Sequence, residues 1–299
     1  MTEILHIEKL LGVLHYDELM SRHTSWRVGG PAKYFYTPSD RDDLARFLTQ
    51  LPQSLPIVWI GLGSNLLIRD GGFPGAVICT HKGLTQLKDH GDGEIFVQAG
   101  VPCAKVARSC TRAGLAGAVF FAGIPGSMGG ALAMNAGAFG GETWDVVKTA
   151  ETIDRYGKVR VRKAEEFSVA YRSVTIPDGE WFSAATLQLE PAQDDDGKRK
   201  ISELLRQRGA SQPIQTANAG SVFRNPEGDF AARLIETAGL KGMREGGAVV
   251  SGKHANFIIN DGNASAADIE CLILRIQETV RKKHGVELEP EVRLMGEPL

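Results

Sequence analysis

The chain has 299 residues, 42% of them hydrophobic, with 34 lysines and arginines against 36 aspartates and glutamates and a formal net charge of −2. That balance is ordinary for a globular protein and argues against nucleic acid or a charged membrane surface as a partner. The length allows two or more domains with a sizeable core, and the start, MTEILHIEKL, lacks the basic head and apolar stretch of a secretory signal.

Residues 3–20 carry apolar side chains at helical spacing and predict an amphipathic leading helix, with His6 and His15 as surface or packing residues. His23 to Ala32 begins the body, and Lys33 to Tyr36 is extended. Ser39 is the expected N-cap of a helix over about 40–50, with Asp42 and Asp43 in its first turn. Ile57 to Ile60 is β-branched and aromatic and reads as a strand. It runs into a glycine turn, Gly61-Leu62-Gly63-Ser64-Asn65, where Ser64 and Asn65 offer side-chain donors. Strands follow at about 76–80 and 94–98, then a helix at about 102–113 that stops at Gly114. Cys79, Cys103, Cys110 and Cys271 form no C-x-x-C pair and read as free thiols of a reducing compartment. The seven histidines have no metal-ligand spacing, so no metal is expected.

The uncharged run from Ala113 to Gly141 is long enough to suggest a membrane span, but glycine and alanine dominate it and Ile124-Pro125-Gly126 breaks it. Gly123 to Gly130 reads as a tight loop entering a helix faced by Ala131, Ala133 and Ala136. Free N–H groups at such a helix start suit a phosphate or pyrophosphate; tight helix–sheet packing explains the stretch equally well. Neither glycine turn is a G-x-G-x-x-G or Walker-type loop, since residue 66 is leucine and no G-x-x-x-x-G-K-[ST] occurs. Two such turns point to one large ligand held from both sides.

Val146 to Asp154, Val159 to Arg162 and Trp181 to Leu189 alternate like strands, and Ala164 to Phe167 is a short helical turn. The polar stretch Glu190 to Gly197 is the expected domain boundary. A helix begins in Lys198 to Arg208, another spans about 229–238 and ends at Gly239, and a third spans Ala266 to His284. Ala248 to Val250, Asn256 to Asn260 and Val286 to Leu294 read as strands, the last with Val286, Leu288, Val292 and Leu294 on one face.

GLGSNLLIRDGGFPGAVI (61–78) and GIPGSMGGALAMNAGAFGGE (123–142) resemble the FAD-binding region of UDP-N-acetylenolpyruvoylglucosamine reductases. Those enzymes belong to the flavoprotein superfamily that includes vanillyl-alcohol oxidase. Tyr171-Arg172-Ser173, NAGSVFRNP (218–226) and LEPEVR (288–293) extend the match in the family's order, from about His23 to Gly296. The longer-type members carry a tyrosine-bearing insertion soon after the boundary; this chain has none and resembles the shorter subtype.

The resemblance implies an α+β fold with two flavin-binding lobes, about 1–80 and 81–190, and a substrate domain, about 200–299. It implies dissociable, non-covalent FAD with its pyrophosphate over Gly61, Gly63, Ser64, Asn65 and Leu66 and over Pro125, Gly126, Ser127, Gly129 and Gly130. Asn135, Gly137 and Ala138 complete the flavin contacts. The implied activity is reduction of the enolpyruvyl group of a UDP-sugar, giving UDP-N-acetylmuramate for peptidoglycan precursors in the cytoplasm. NADPH would be the co-substrate and, with no Rossmann fingerprint to hold it, would share one cleft with the sugar in ping-pong turnover. Ser221 is the implied proton donor, Arg172 the stabiliser of enolate or carboxylate oxygens, and Glu291 an aid to polarisation or proton relay. Asn225, His254 and Arg293 are the implied substrate contacts, with Arg224 and Lys253 as partners for the diphosphate. On residue type alone, Ser221 is an ordinary turn serine, Arg172 a surface arginine, and Glu291 one of a row of solvent-facing carboxylates.

Overall fold

A computed structural model describes residues 7–194 and 196–299. The chain forms two compact units, one made of residues up to Tyr16, Tyr34–Leu62 and Gly75–Leu205, the other of Asp17–Lys33, Gly63–Pro74 and Arg206–Leu299. Helices and strands are interleaved throughout, an α+β arrangement.

In the first unit, helix α1 (Arg41–Gln50) buries Leu44, Phe47 and Leu48 against Tyr34, Tyr36, Ala76 and Ile78. Its apolar side chains recur at one helical face, and Phe47 stacks on Tyr36 with ring centroids 4.0 Å apart. The partner sheet has the order Val13–Leu19, Pro31–Thr37, Phe73–Cys79, Ile57–Ile60, and the last two strands run parallel. The cap of α1 is Asp40, not Ser39: Asp40 has the extended backbone of a cap and its side chain accepts from the Asp43 N–H at 2.8 Å.

The expected leading helix is a strand over Val13–Leu19; its part before residue 7, His6 included, lies outside the described residues. The reason is a long-range carboxylate. Asp43, fully buried, accepts the N–H groups of Leu11 and Gly12 at 2.8 and 2.9 Å, bonds that a helix would aim along its own axis. Burial pushes this carboxyl upward, but those amides, the Ser39 amide and the Tyr36 hydroxyl outweigh it and hold Asp43 below the ordinary carboxylate range.

A second, antiparallel sheet has the order Val159–Lys163, Val147–Asp154, Glu180–Gln188, Glu94–Gln98, Leu87–Asp89. Helix α2 (Cys103–Arg112), the 3-10 turn Val119–Gly123 and helix α3 (Met128–Met134) pack their apolar faces into one core with this sheet. Cys103 and Cys110 sit in that core, and burial pushes both thiols up to about 12, so they act as small hydrophobes. Helix α4 (Gly197–Ser211) follows the polar connection.

The second unit is built on helix α5 (Ala231–Thr237), helix α6 (Ala266–His284) and a three-stranded antiparallel sheet of Arg244–Glu245, Ala248–Val250 and Ile258–Asn260. The strand expected from Asn256 begins only at Ile258, because the Asn256 backbone N–H donates to His254 Nδ1 and its carbonyl accepts from the Val222 N–H instead of joining the ladder. Helix α6 turns Ile269, Leu272, Ile273, Ile276 and Val280 into the core, starts at a Ser265/Asp268 capping box and ends at left-handed Gly285. The buried Trp26 indole donates to the Ile258 carbonyl at 2.8 Å, and its own carbonyl accepts from the Asn260 side chain. The final strand is shorter than expected, Arg293–Met295, paired in parallel with Leu66–Ile68. Leu288 and Val292 still face inward as the alternation requires, but Pro290 has no N–H to give a ladder; Glu289 and Glu291 instead bond backbone to backbone with Arg224 and Val222.

Candidate active site

The first unit brings Gly61 and the second glycine loop into direct contact. A Cβ on Gly61 would stand 1.9 Å from the Ser127 hydroxyl oxygen and 2.9 Å from the Ser127 Cβ. The Ser127 hydroxyl is itself buried without a hydrogen-bond partner, the residue being 2% exposed. An unsatisfied buried hydroxyl costs free energy, so the loop fits a polar ligand group such as a flavin nucleotide supplies. The expected free N–H groups at the start of α3 are not all free: Met128 donates to the Val101 carbonyl at 2.9 Å and Gly129 to the Ala99 carbonyl at 2.8 Å. These bonds, with Cys103 N–H to the Gly126 carbonyl, fix the loop to the neighbouring strand end. Pro125 and Gly130 are exposed, and a Cβ on Gly130 would meet nothing within 4 Å. Helix α3 stops at Met134, so Ala136 lies beyond the helix whose face it was expected to share.

Asn135 is the left-handed C-cap of α3, 3% exposed, and its side-chain amide donates to Glu142 at 2.7 Å while its oxygen accepts from the Trp144 N–H. Gly137 and Ala138 form a two-residue hairpin with Gly141 and Glu142. The Arg172 guanidinium closes over this turn, donating to the carbonyls of Asn135 and Gly137 at 3.3 and 3.2 Å, with its centre 5.0 Å from the Tyr171 ring. Arg172, Asn135 and Gly137 are therefore one cluster.

In the second unit, Gly63 has a left-handed φ of 64°, and a Cβ there would stand 1.9 Å from the His23 carbonyl oxygen. The Asn65 side-chain amide donates to the Glu291 carbonyl at 3.0 Å, and the Asn65 carbonyl accepts from the Arg293 N–H at 3.1 Å. Leu66 is buried and pairs with Arg293 in the parallel ladder, and the half-buried Ser64 lies between. Ser221, half-buried, precedes Val222, whose carbonyl accepts the Glu291 N–H at 2.7 Å. Asn256 brackets the same segment, accepting from Phe223 N–H at 3.0 Å and donating to its carbonyl at 2.8 Å. Ser221 and Glu291 thus lie on adjacent backbones, with Asn65 on the far side of Glu291. Of the three expected catalytic residues, these two share the second unit and Arg172 belongs to the first.

Asn225 is exposed, and its side-chain oxygen accepts the Ala231 N–H at 3.1 Å, a bond that caps α5. His254 is half-buried; its Nδ1 accepts from the Asn256 N–H at 3.3 Å, which leaves the proton of the neutral ring on Nε2. Burial, with Lys241 adding to it, holds this imidazole below its ordinary value. Arg224 lies 3.7 Å from Glu289, and the Lys253 ammonium donates to the Gly209 carbonyl. Three organising residues escaped the sequence reading: Glu142, Asp70, which accepts from Ala266 and Ala267 N–H groups at 2.9 Å each, and Asn256. Glu142 ends the glycine run and Asp70 follows the first glycine turn, but neither position reveals its partner. No group of three His, Cys, Asp or Glu side chains that would hold a metal occurs among the described residues, and no helix among them is long and apolar enough to cross a membrane.

Comparison with known proteins matches residues 32–162 to an FAD binding domain family and residues 212–295 to the C-terminal domain of UDP-N-acetylenolpyruvoylglucosamine reductase. The chain is 55% identical over 286 residues to the UDP-N-acetylenolpyruvoylglucosamine reductase of Alkalilimnicola ehrlichii, covering 96% of each chain. It is 55% identical over 280 residues to that of Methylococcus capsulatus, covering 94% of this chain and 92% of the relative. The crystal structure of the reductase from Thermus caldophilus superposes with a TM-score of 0.82 at 33% identity, over 96% of this chain and 99% of that one.

Proposed function

Because the chain belongs to the family of UDP-N-acetylenolpyruvoylglucosamine reductases, we propose that Ser221, Arg172 and Glu291 carry out the proton and charge management of its reaction. The protein is an FAD-dependent oxidoreductase that reduces the enolpyruvyl group of UDP-N-acetylglucosamine enolpyruvate in peptidoglycan precursor synthesis. When bound and reduced, FAD supplies hydride to the terminal carbon of the enol ether. Negative charge then develops on the carbon beside the carboxylate and on the carboxylate oxygens. Arg172, permanently charged and forked, stabilises those oxygens. Ser221 gives its hydroxyl proton to the carbon, and Glu291 polarises the site and relays the replacement proton. Asn225, His254 and Arg293 contact the substrate, with Arg224 and Lys253 near its diphosphate.

Gly61, Gly63, Ser64, Asn65 and Leu66 and the loop from Pro125 to Gly130 hold the flavin, assisted by Asn135, Gly137 and Ala138, without a covalent bond. The division into two flavin lobes, 1–80 and 81–190, and a substrate domain, 200–299, is part of the same reading. So are NADPH as donor, its use of the substrate's cleft in ping-pong order, and a cytoplasmic location. The observation that supports the assignment best is the 2.7 Å bond from Glu291 N–H to the Val222 carbonyl, which joins the serine motif to the Pro-Glu-Val-Arg motif. The test is anaerobic stopped-flow absorbance: the protein is reduced with NADPH and mixed with UDP-N-acetylglucosamine enolpyruvate. Rapid return of the flavin band without oxygen is the expected result; reduction without reoxidation would refute the substrate assignment.

A further inference from the structure

Resting on the reading of Arg172 as the stabiliser of substrate oxygens, we propose that Glu142 is a positioning residue that sets the Arg172 guanidinium through a clamp shared with Asn135. One oxygen of the Glu142 carboxylate accepts the Asn135 side-chain amide at 2.7 Å, and the other lies 3.9 Å from Arg172 Nη1. Nη1 and Nη2 in turn reach the carbonyls of Asn135 and Gly137. The backbone is bent to make this possible. Seven non-glycine residues among those described have a left-handed φ, and three of them, Asn135 (43°), Phe139 (54°) and Arg172 (53°), belong to this one cluster. A left-handed arginine has no intrinsic reason to stay there and persists only where its surroundings over-determine it. Space at Gly137 is equally tight: a Cβ would stand 3.3 Å from Arg172 Nη1 and 2.6 Å from the Gly141 carbonyl oxygen.

The plainer role for Glu142 is a cap. Its backbone N–H donates to the Asp145 carboxylate at 2.8 Å at the start of the 3-10 turn Thr143–Asp145. Glutamine would serve that role as well, since the bond is made by the main chain. It would not serve the clamp: with its oxygen turned to the Asn135 amide, its NH2 group faces the guanidinium, donor against donor, and the negative charge is gone. Glu142→Gln therefore separates positioning from capping.

The experiment has two readouts on intact protein. The first is limited trypsin cleavage after Arg172 in apoprotein, which reports how often this segment opens. Glu142→Gln is expected to raise the cleavage rate about fivefold or more while Tm stays within about 2 °C of the parent. The second is the pair of half-reactions. Flavin reduction by NADPH should change less than about twofold, and the limiting rate of anaerobic reoxidation by substrate should fall about thirtyfold at unchanged substrate affinity. Parental cleavage together with parental reoxidation in Glu142→Gln overturns the proposal. So does an equal fall in both half-reactions with loss of FAD, which would make Glu142 a scaffold residue. Arg172→Gln run in parallel isolates the premise: undiminished reoxidation there refutes the role of Arg172 itself, whereas the cleavage assay still reads whether the clamp exists.

Discussion

Substitution of Gly61 by alanine tests the packing of the two glycine loops. The added Cβ falls 1.9 Å from the Ser127 hydroxyl oxygen and 2.9 Å from the Ser127 Cβ. Rotating the serine side chain removes the first contact and leaves the second. The Ser127 segment must then move, against the bonds from Met128 to Val101, Gly129 to Ala99 and Cys103 to Gly126. Gly129 has no slack either, since a Cβ there would stand 2.9 Å from the Ala99 Cβ. Gly61 lacks a left-handed φ, so backbone strain adds nothing and the cost is steric alone. Overpacking of this kind costs about 1–3 kcal/mol. Part of it is expected as lost apoprotein stability in urea unfolding and part as weakened FAD binding, a total near 2 kcal/mol being about a thirtyfold change if it all falls on affinity.

Fluorescence titration of FAD and urea midpoints for Gly61→Ala, Ser127→Gly and the double variant give the coupling. The double variant removes the clash and should recover about 1 kcal/mol or more relative to additivity. Gly130→Ala is the control of opposite sign. Its Cβ meets nothing within 4 Å and its helical position favours alanine by about 1 kcal/mol, so unfolding stability should rise. If the flavin approaches the backbone at Gly130, affinity falls at the same time. A Gly61→Ala protein with parental urea midpoint and parental FAD affinity would refute the steric account of this glycine.

Ser221→Ala should retain FAD and its reduction by NADPH, while single-turnover reoxidation by substrate falls by about a hundredfold or more; an equal loss in both half-reactions would mark the serine as structural. Asp70→Ala removes the acceptor for two N–H groups at the start of α6 and should lower unfolding free energy by about 1–2 kcal/mol; an unchanged urea midpoint would show that the Ser265/Asp268 box suffices alone. His254, held down chiefly by burial, binds fewer protons folded than unfolded at mildly acidic pH, so stability falls as pH drops from its ordinary value of 6.5 toward the lowered folded value. His254→Gln should flatten that part of the stability–pH curve, measured by urea midpoints at stepped pH, and an unaltered slope would contradict a neutral native imidazole.

What was legible in the sequence was local. Helix α6 spans Ala266–His284 as its periodicity and its glycine stop at Gly285 place it, because both signals lie within the helix or next to its end. The antiparallel strands 147–154, 159–163 and 180–188 are read from alternation for the same reason. The failures each turn on a partner far along the chain. The helical spacing of residues 3–20 says nothing of Asp43, which takes the Leu11 and Gly12 amides and leaves an extended strand. The alternation of residues 286–294 is real in burial, yet proline at position 290 and the antiparallel contact with 222–224 shorten the ladder. Family motifs named Asn65 as a flavin residue and Glu291 as a catalytic one; that the first holds the carbonyl of the second, 226 positions away, is visible only in the fold.

The catalytic candidates differ in how they are held, and this governs how their variants must be read. Ser221 and Glu291 are located through the main chain: the Val222 carbonyl takes the Glu291 N–H, and Asn256 and Asn65 fasten the two segments by side chains other than the reacting ones. Replacing the Ser221 hydroxyl leaves that frame in place, so a lost rate there reports lost chemistry. Arg172 is held through its own guanidinium, by the Asn135 and Gly137 carbonyls and the Glu142 carboxylate. Removing the guanidinium also removes the bonds that tie residue 172 to the turn after α3, and with them the constraint on its left-handed backbone. A defect in an Arg172 variant therefore mixes charge with position. A change at Glu142 alters the position while leaving the arginine's charge intact.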